Sequence, residues 1–320
     1  MEVFQRQKTV EVSVALNYTV LLESQFILPQ FFERFREISV SRGGDSDAFE
    51  AVAESKTKLI LSEDIVGFVM WDGPEPVGLG WVERMTPTYG SILVYTSESR
   101  YQADLVNYLV DSKLAVGVMA ELLHFETDDS ICQLFRDRAL MEIPRQRMVC
   151  HLPETLDYPE IPDGYTLLPL SRKTALQVSN LSVPAHKISG DYRGYPDMET
   201  VEGRLRLEHL VHSQFYGPLC HPASIGLMSG DEMHSVILNL LIPCWGQEKM
   251  PWIYDIATST DVMGRGLGEW VLSYAKAVLV DFHFPMWGLA VSQCNVGAIR
   301  VYERNGFVVV DTFSEFLQHD

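Results

Sequence analysis

The chain has 320 residues, of which 47% are hydrophobic and 21% are charged, so it is long enough to bury the cores of two domains. Its formal net charge of −18 opposes the phosphate backbone of nucleic acids, and no block of basic residues is present. We therefore expect no nucleic-acid partner, while the acidic balance mildly favours a cationic acceptor.

The cysteines and histidines give no sign of a metal site or of a disulfide framework. The five cysteines are widely spaced without a CxxC pair, and the nine histidines form no HExxH motif, so we predict reduced thiols and no metal. The N-terminus lacks the basic start and apolar core of a secretory signal, and no run approaches 18 apolar residues. We expect a cytoplasmic protein with no membrane partner, and no motif indicates an oligomeric state.

The first half of the chain alternates strand-like and helix-like segments. Apolar runs at 59–71 and 77–85 flank a GPEP turn and predict successive strands. Tyr95-Thr96-Ser97 precedes a helix-like run at 99–117, and the hexapeptide FRDRAL follows from Phe135. The acidic, proline-bearing segment 153–164 has the composition of an exposed linker. We therefore expect a first domain over 1–152, a linker over 153–164 and a second domain over 165–320.

In the second half, a glycine-rich segment joins a strand to a helix. A strand candidate at 252–258 is followed by Gly264, Gly266 and Gly268 and then by an amphipathic run at 269–280. The first N–H groups of a helix lack intrahelical acceptors and carry partial positive charge, so this pattern is typical of a phosphate cradle. Each glycine lowers local stability by roughly 0.5–1 kcal/mol relative to alanine, which favours a functional role for the loop. A tight turn that only reverses the chain is the alternative.

Two familiar phosphate loops fit this segment poorly. A P-loop requires Lys-Ser or Lys-Thr after its last glycine, whereas Glu269-Trp270 follows here. A Rossmann fingerprint requires GxGxxG, whereas the spacing here is GxGxG, although Asp281 stands near the distance expected for its acidic residue. The loop alone therefore supports a kinase or a nucleotide-dependent oxidoreductase only weakly.

A second patterned segment follows the helix. Leu289-Ala290-Val291 predicts a short strand, and NVGAIRVYERNGF predicts a helix from about Asn295 to Glu303. Asn295 suits the N-cap of this helix, and Gly306 suits a left-handed stop after it. Tyr302 therefore lies near the end of the helix.

Taken together, Ile256-Ala257-Thr258, MGRGLG and this second segment resemble the acetyl-coenzyme A motifs of the GNAT acyltransferase superfamily over about 70 residues. The resemblance implies acetyl-CoA as co-substrate, without a metal. It assigns the pyrophosphate to the loop, the pantetheine arm to the preceding strand and to Asn295, and a proton donor to Tyr302. Met263 departs from the Gln or Arg that is usual at its position. The implied coenzyme-binding residues are Ile256, Ala257, Thr258, Met263, Gly264, Arg265, Gly266, Leu267, Gly268 and Asn295.

Acyl transfer to an amine needs an acid and a base. A tyrosine with a pKa near 10 can protonate a departing thiolate whose thiol pKa is about 8.5, so Tyr302 suits the acid, unless it is only a half-buried aromatic. Many GNAT enzymes place a glutamate on the strand before the loop, on the face expected for Tyr254. We predict Asp255 as the base, although it could instead brace a neighbouring strand. Glu232 and His234, on a predicted hairpin at 228–238, are further candidates, acting directly or through water.

The first half looks like an altered copy of the second. Thr96 corresponds to Thr258, and Gln102, Ala103 and Asp104 stand where Gly264, Arg265 and Gly266 stand in the second half, so a carboxylate would face the phosphates. Phe135 stands where Tyr302 does and has no proton to give. We predict an α/β fold of two GNAT-like domains, each a twisted mixed sheet flanked by helices, with a degenerate first copy. A chance match to an unrelated α/β domain is the alternative.

The segment 183–212 should hold the two helices that line the acceptor site in GNAT folds. It carries aromatic residues and carboxylates that would suit an amine: Asp191, Tyr192, Tyr195, Asp197 and Glu202. A solvated loop leading into a surface helix is equally consistent with this composition. The sequence thus predicts an N-acetyltransferase acting on a primary amine of a small acceptor. A non-catalytic acyl-CoA sensor or interaction protein is the alternative.

Overall fold

The computed structural model describes residues 16–21, 27–41, 54, 57–58, 61, 65–86, 89–112, 119–120, 129–194, 196–244 and 247–317. The first half of this region contributes three helices and six strands: α1 Leu28–Ser41, α2 Gln102–Asp111, α3 Asp129–Asp137, β1 Asn17–Val20, β2 Ile65–Asp72, β3 Glu75–Thr86, β4 Tyr89–Thr96, β5 Met119–Ala120 and β6 Met141–His151.

The second half contributes four helices and six strands: α4 Ala175–Ser189, α5 Val201–His212, α6 Leu267–Asp281, α7 Val296–Arg304, β7 Thr166–Pro169, β8 Ile225–Ser229, β9 Glu232–Cys244, β10 Gln247–Thr258, β11 Met286–Ser292 and β12 Val308–Leu317. These bounds confirm the predicted hairpin, the strand before the glycine-rich loop, the helix after it, and the later strand and helix. Asn295 caps α7 by accepting from the Ala298 N–H at 3.1 Å, and Gly306 is left-handed at φ 87°.

The twelve strands in the described part of the chain form one sheet, in the order β1-β2-β3-β4-β5-β12-β6-β11-β10-β9-β8-β7. The pairs β4·β5 and β10·β11 are parallel and the others are antiparallel. Helices pack on this sheet, which confirms the predicted mixed α/β architecture. The sheet is continuous because the two halves exchange strands: β6 of the first half lies between β11 and β12, and β12 of the second half lies between β5 and β6.

Separate apolar cores lie under the helices of each half. In the first half, α2 buries Leu105, Val106 and Leu109 against the sheet. In the second half, α6 packs apolar side chains such as Val271 and Ala275, which are one helical turn apart, on one side of the sheet. The helices α4 and α5 cover the opposite side. The two sides of the second half therefore carry different helices, and the site lies where both meet β10.

The segment 153–164 is mostly exposed, as its composition predicts, but it is attached to α6. The Tyr158 hydroxyl donates to Asp281 Oδ2 at 2.6 Å, and Trp270 Nε1 donates to the Glu160 carbonyl at 2.7 Å. None of the helices described here is long and apolar enough to cross a membrane.

Candidate active site

The glycine-rich loop builds an open cradle at the start of α6. Gly264 and Gly266 are left-handed, with φ values of 78° and 81°, a conformation that other residues adopt only with strain. A Cβ at either glycine would meet no atom within 4 Å, so the loop surface is accessible. Gly266 is the N-cap of α6 and provides no side-chain acceptor. The first amides of α6 are therefore suited to an external anion.

Gly268 is required for a different reason. A Cβ at this position would lie 3.0 Å from Thr258 Oγ1, and Thr258 is itself held by a 3.0 Å hydrogen bond to Ser235 Oγ. The missing side chain lets the first turn of α6 approach the end of β10 closely. This contact fixes the cradle against the strand that precedes it.

Glu269, in the first turn of α6, would repel a phosphate if its charge were not balanced. Arg304 of α7 lies against it, with Nη2 2.9 Å from Glu269 Oε2, and both side chains line the cavity described next. The pair brings a guanidinium to the entrance of the cradle, which offsets the unfavourable acidic residue that follows the last glycine.

A cavity of about 970 Å³ opens between β10 and β11. These parallel strands pair only at Trp252 with Gly288 and at Ile253 with Leu289, and the register of β10 against β9 shifts between Ile253 and Asp255. Beyond this bulge the two strands separate. Simple alternation would direct Tyr254 and Asp255 to opposite faces, whereas the bulge turns both toward α4 and α5.

Most of the predicted site residues surround this one cavity. Arg265 is exposed and is not among the described residues that line the cavity. Its contribution to phosphate binding stays a prediction. The predicted residues that do line the cavity are Asp255, Ile256, Ala257, Thr258, Met263, Gly264, Gly266, Leu267, Gly268, Asn295 and Tyr302.

Tyr302 lies on α7, with 6% of its surface exposed and part of its side chain on the cavity wall. Its ring centroid lies 5.8 Å from that of Phe307, so the ring is fixed by the core that α7 covers. The structure thus brings the predicted acid to the same space as the loop and Asn295. Its role in proton transfer stays a prediction.

Asp255 is enclosed by donors. Its side chain is fully buried, and it accepts hydrogen bonds from Ser182 Oγ, His186 Nε2 and Arg204 Nη2, each at 2.7 Å. Burial alone would raise the pKa of this carboxyl, but the charges and hydrogen bonds of His186 and Arg204 lower it well below its usual range. Because a carboxylate with a lowered pKa accepts protons poorly, these contacts suit an orienting group better than the directly acting base that we predicted.

Arg204 connects Asp255 to the buried face of α5. Its side chain is fully buried, with Nη1 2.7 Å from Glu208 Oε1 and Nη2 on Asp255. The charges of Glu208 and Asp255 outweigh the cost of burial and raise the pKa of the guanidinium. Arg204 is therefore a permanent cation that holds the Asp255 carboxylate in one position.

Two tyrosines form part of the cavity wall on the side of α4 and α5. Tyr216 and Tyr254 have ring centroids 5.4 Å apart, and both line the cavity. Burial raises the pKa of Tyr216 to about 12, and burial likewise raises the pKa of Tyr254 well above its usual value. Both phenols therefore stay protonated at neutral pH.

The other candidate bases lie elsewhere. Glu232 is largely exposed, and His234 lies 3.5 Å from it and 3.1 Å from the Tyr165 hydroxyl. Neither residue is among those described as lining the cavity. In the segment 183–212, Asp197 does line it, but the carboxylate is already paired with Arg206. Tyr195 and the side chain of Asp191 lie outside the described residues.

Four important residues escaped the sequence interpretation: Ser182, His186, Arg204 and Arg145. The first three surround Asp255. Arg145, on the exchanged strand β6, also lines the cavity and forms a buried 2.9 Å ion pair with Glu315 of β12. Its Nη2 donates to the Ala290 carbonyl at 3.2 Å. The first half of the chain thus supplies a side chain to the wall of the cavity in the second.

The corresponding turn of the first half is built differently. Tyr101, the residue before α2, has right-handed backbone angles, and its hydroxyl donates to Asp72 at 2.6 Å. Asp104 is exposed in the first turn of α2. Phe135 is buried with its ring centroid 4.9 Å from that of Phe316. Among the residues that the structure describes in either half, there is no group of three or more His, Cys, Asp or Glu side chains that could hold a metal ion.

Comparisons with known proteins agree with this geometry. Residues 225–307 match the model of the Acetyltransferase (GNAT) family. A curated relative, the Mycothiol acetyltransferase of Acidimicrobium ferrooxidans, is 30% identical over 185 residues, which cover 54% of this chain and 52% of that protein. The chain thus matches about half the length of this relative.

Two solved structures are similar over nearly the whole chain. A GCN5-related N-acetyltransferase from Sphaerobacter thermophilus has a TM-score of 0.59 at 17% identity, with 95% of each chain covered. A tandem GNAT protein from the clavulanic acid biosynthesis pathway has a TM-score of 0.58 at 12% identity, with 95% of this chain and 97% of that chain covered. At these identities the likeness shows the fold.

Proposed function

We propose, because residues 225–307 match the model of the Acetyltransferase (GNAT) family, that the protein transfers an acyl group, most simply acetyl, from acyl-CoA to a primary amine. The observation that carries this proposal is the opening of the α6 cradle onto the cavity that Tyr302 lines. A binding loop alone would suit a sensor. A loop that shares one cavity with a tyrosine suits a transferase, because a phenol can give a proton to the leaving group.

The cradle fits a coenzyme A pyrophosphate. The left-handed Gly264 and Gly266 leave the loop surface open, and the amides at the start of α6 provide donors for phosphate oxygens. The separated end of β10, from Ile256 to Thr258, has room to pair with the amide groups of a pantetheine arm. Asn295 lies on the far wall of the same space.

The cavity supports a small acceptor with an apolar body. Its acceptor side is formed by side chains of α4, α5, β10 and the 3₁₀ turn Pro196–Met198, among which Ile188, Met198 and Leu207 are apolar. The two carboxylates there, Asp197 and Asp255, are each already paired with an arginine. About 970 Å³ must hold both the acyl-bearing end of the coenzyme and the acceptor, which favours a small amine over a protein segment.

In the proposed reaction, the neutral amine nitrogen attacks the thioester carbonyl and releases a proton to solvent, while the carbon–sulfur bond breaks and the leaving sulfur takes the phenol proton of Tyr302. The phenolate then regains a proton from solvent. A reference pKa near 10 for the phenol and about 8.5 for the thiol makes the transfer from the phenol to the sulfur feasible. The test is a Tyr302→Phe variant assayed with acetyl-CoA and a panel of small primary amines. We expect kcat to fall about 100-fold or more while the Kd for acetyl-CoA changes less than about twofold.

The matched control is Tyr274→Phe, which removes a hydroxyl from α6 where the ring packs on Trp270 at 5.4 Å, away from the cavity lining. Its turnover should equal that of the parent. Undiminished kcat in Tyr302→Phe would remove the tyrosine from the reaction. A parent that binds acetyl-CoA but acetylates no amine in the panel would favour the sensor.

A further inference from the structure

We propose that the acceptor is a monoamine with an aromatic body and that Ile188 is the specificity-determining residue that selects this body, an assignment that rests on the proposed function. Ile188 lies in the last turn of α4 and lines the cavity. With 66% of its surface exposed, it is the most exposed large apolar side chain in the part of the chain that the structure describes. An acceptor that covers Ile188 removes this apolar surface from water, which favours binding.

Two tyrosine rings stand on the same side of the cavity. Tyr216 and Tyr254 are partly exposed, and their ring planes are inclined by 33° with centroids 5.4 Å apart. The Tyr254 hydroxyl donates to Tyr216, so its one donor is used within the wall. Aromatic rings attract one another at centroid distances of about 4.5–7 Å, beyond the gain from apolar burial. An acceptor with a ring therefore suits this wall better than a saturated acceptor of the same size.

The apolar part of the wall is extended by Met198 and Leu207. Both side chains are largely buried, at 7% and 4% exposure, and both line the cavity. Since each is held by the surrounding core, they present a fixed apolar surface rather than one that must first be ordered. The methionine sulfur is also a favourable neighbour for the edge of an aromatic ring.

The charged groups on this side provide no partner for a second cation on the acceptor. The carboxylates among the described residues that line it are Asp197 and Asp255, which form ion pairs with Arg206 and Arg204. A second ammonium group would have to compete with a guanidinium for either carboxylate. Bringing such a charge into the cavity without a partner is costly, so the charges favour a monoamine.

Arg204 also acts on the ring of Tyr254. Its Cζ lies over this ring, 6.0 Å from the centroid, and its side chain is fully buried. The face of an aromatic ring attracts cations, and a guanidinium already beside Tyr254 weakens the attraction of that ring for another one. The contact of the acceptor with Tyr254 is therefore better made by an uncharged ring than by an ammonium group.

The first test compares three acceptors on the full chain with acetyl-CoA: benzylamine, cyclohexylmethylamine and 1,6-diaminohexane. The first two match in size and charge and differ in aromaticity, whereas the third carries a second cation. We expect kcat/KM for benzylamine to exceed that for cyclohexylmethylamine about threefold and that for 1,6-diaminohexane about tenfold.

Equal values for benzylamine and cyclohexylmethylamine overturn the aromatic assignment, and a preference for 1,6-diaminohexane overturns the monoamine. Acetylation of other amines but of none of these three overturns the inference as well. All three results leave the proposed function intact. Acetylation of no amine at all contradicts the proposed function, and the inference with it.

The second test is Ile188→Glu, which removes the apolar surface at the cavity and adds a carboxylate. We expect the ratio of kcat/KM for benzylamine to that for 1,6-diaminohexane to fall about tenfold, because the new carboxylate can pair with the second ammonium group. The Kd for acetyl-CoA should stay within about twofold of the parental value. Because Ile188 is exposed, the substitution removes no core contact.

The matched control is Leu176→Glu, at the other end of α4. Leu176 is also exposed, at 54%, and is not among the described residues that line the cavity. This variant should keep the parental ratio of the two acceptors. An unchanged ratio in Ile188→Glu, or an equal fall in both variants, overturns the assignment of Ile188.

Discussion

The two halves of the sheet each send a strand into a turn and then into a helix, but the two turns are built differently. At α6, Gly264 and Gly266 are left-handed and no side chain caps the helix. At α2, Tyr101 is right-handed and bonds to Asp72. Tyr101 likewise provides no side-chain cap, and each helix has an acidic residue in its first turn, but Glu269 of α6 is paired with Arg304 whereas Asp104 of α2 is exposed.

The difference teaches that a helix start suits an external anion when the turn before it is open and the acidic charge of its first turn is balanced. In the first half a 3₁₀ turn, Ser99–Tyr101, leads directly into α2, and what this half supplies to the second half is structural. The strand β6 and the Arg145–Glu315 pair connect it to the cavity wall. We therefore expect changes at the shared strands to affect stability, and changes at the α6 turn to affect ligand binding.

The largest expected effect is at the shared strands. Glu315→Ala leaves Arg145 buried at 6% exposure without its carboxylate, and breaking a buried pair in this way costs about 3–5 kcal/mol. Urea unfolding of the full chain should show this loss as a lower midpoint. Because β12 and β6 join both halves, one cooperative transition should shift rather than the transition of a single half.

The same two strands offer a matched control two to four residues away. Arg147 and Asp311 form a 3.2 Å pair that is 30% and 45% exposed, so Asp311→Ala should cost about 0–1 kcal/mol. Equal losses for Glu315→Ala and Asp311→Ala would contradict the claim that the buried pair couples the halves.

The second expected effect is at the turn itself. Gly266→Asp places a carboxylate and a strained φ of 81° at the N-cap of α6, imitating Asp104 of the first half. Both changes oppose phosphate binding, so we expect the Kd for acetyl-CoA to rise about 100-fold or more. Isothermal titration calorimetry measures this directly.

Gly230→Asp controls for backbone strain. Gly230 is also left-handed, at φ 60°, with open space where its Cβ would be, but it lies in the turn between β8 and β9. It should lose stability comparably while keeping the parental affinity for acetyl-CoA. If both variants bind alike, the pyrophosphate does not lie at the α6 turn.

The sequence predicted this local difference because glycines, caps and hydrophobic periodicity are local signals. It did not predict the exchange of β6 and β12, because the partner of a strand is set by contacts between residues such as Arg145 and Glu315, 170 positions apart. The sequence did not predict the bulge at Tyr254 for a related reason. The alternation of inward and outward side chains along a strand does not show where one extra residue is inserted.

The cluster around Asp255 left one readable signal. Arg204 and Glu208 fall on the same helical face as Leu207 and Val211 of α5, the face that is buried. Charged residues at apolar positions of an amphipathic pattern indicate buried partners. The identity of those partners could not be read, since Ser182 and His186 lie on another helix, and their contact with Asp255 spans about 70 positions.

The smallest expected effect concerns the segment between the two halves. It tests whether the contact of this segment with α6 of the second half stabilises the protein. The hydrogen bond from Tyr158 to Asp281 and burial raise the pKa of Tyr158 to about 12. A raised pKa means that this stabilisation is complete below pH 10 and is lost as the pH rises through 12. Because the side chain is largely exposed, Tyr158→Phe should cost less than about 1 kcal/mol at pH 7. Parent and variant should converge in thermal stability above pH 12, whereas a difference that persists there would contradict the assignment of this contribution to the hydrogen bond with Asp281.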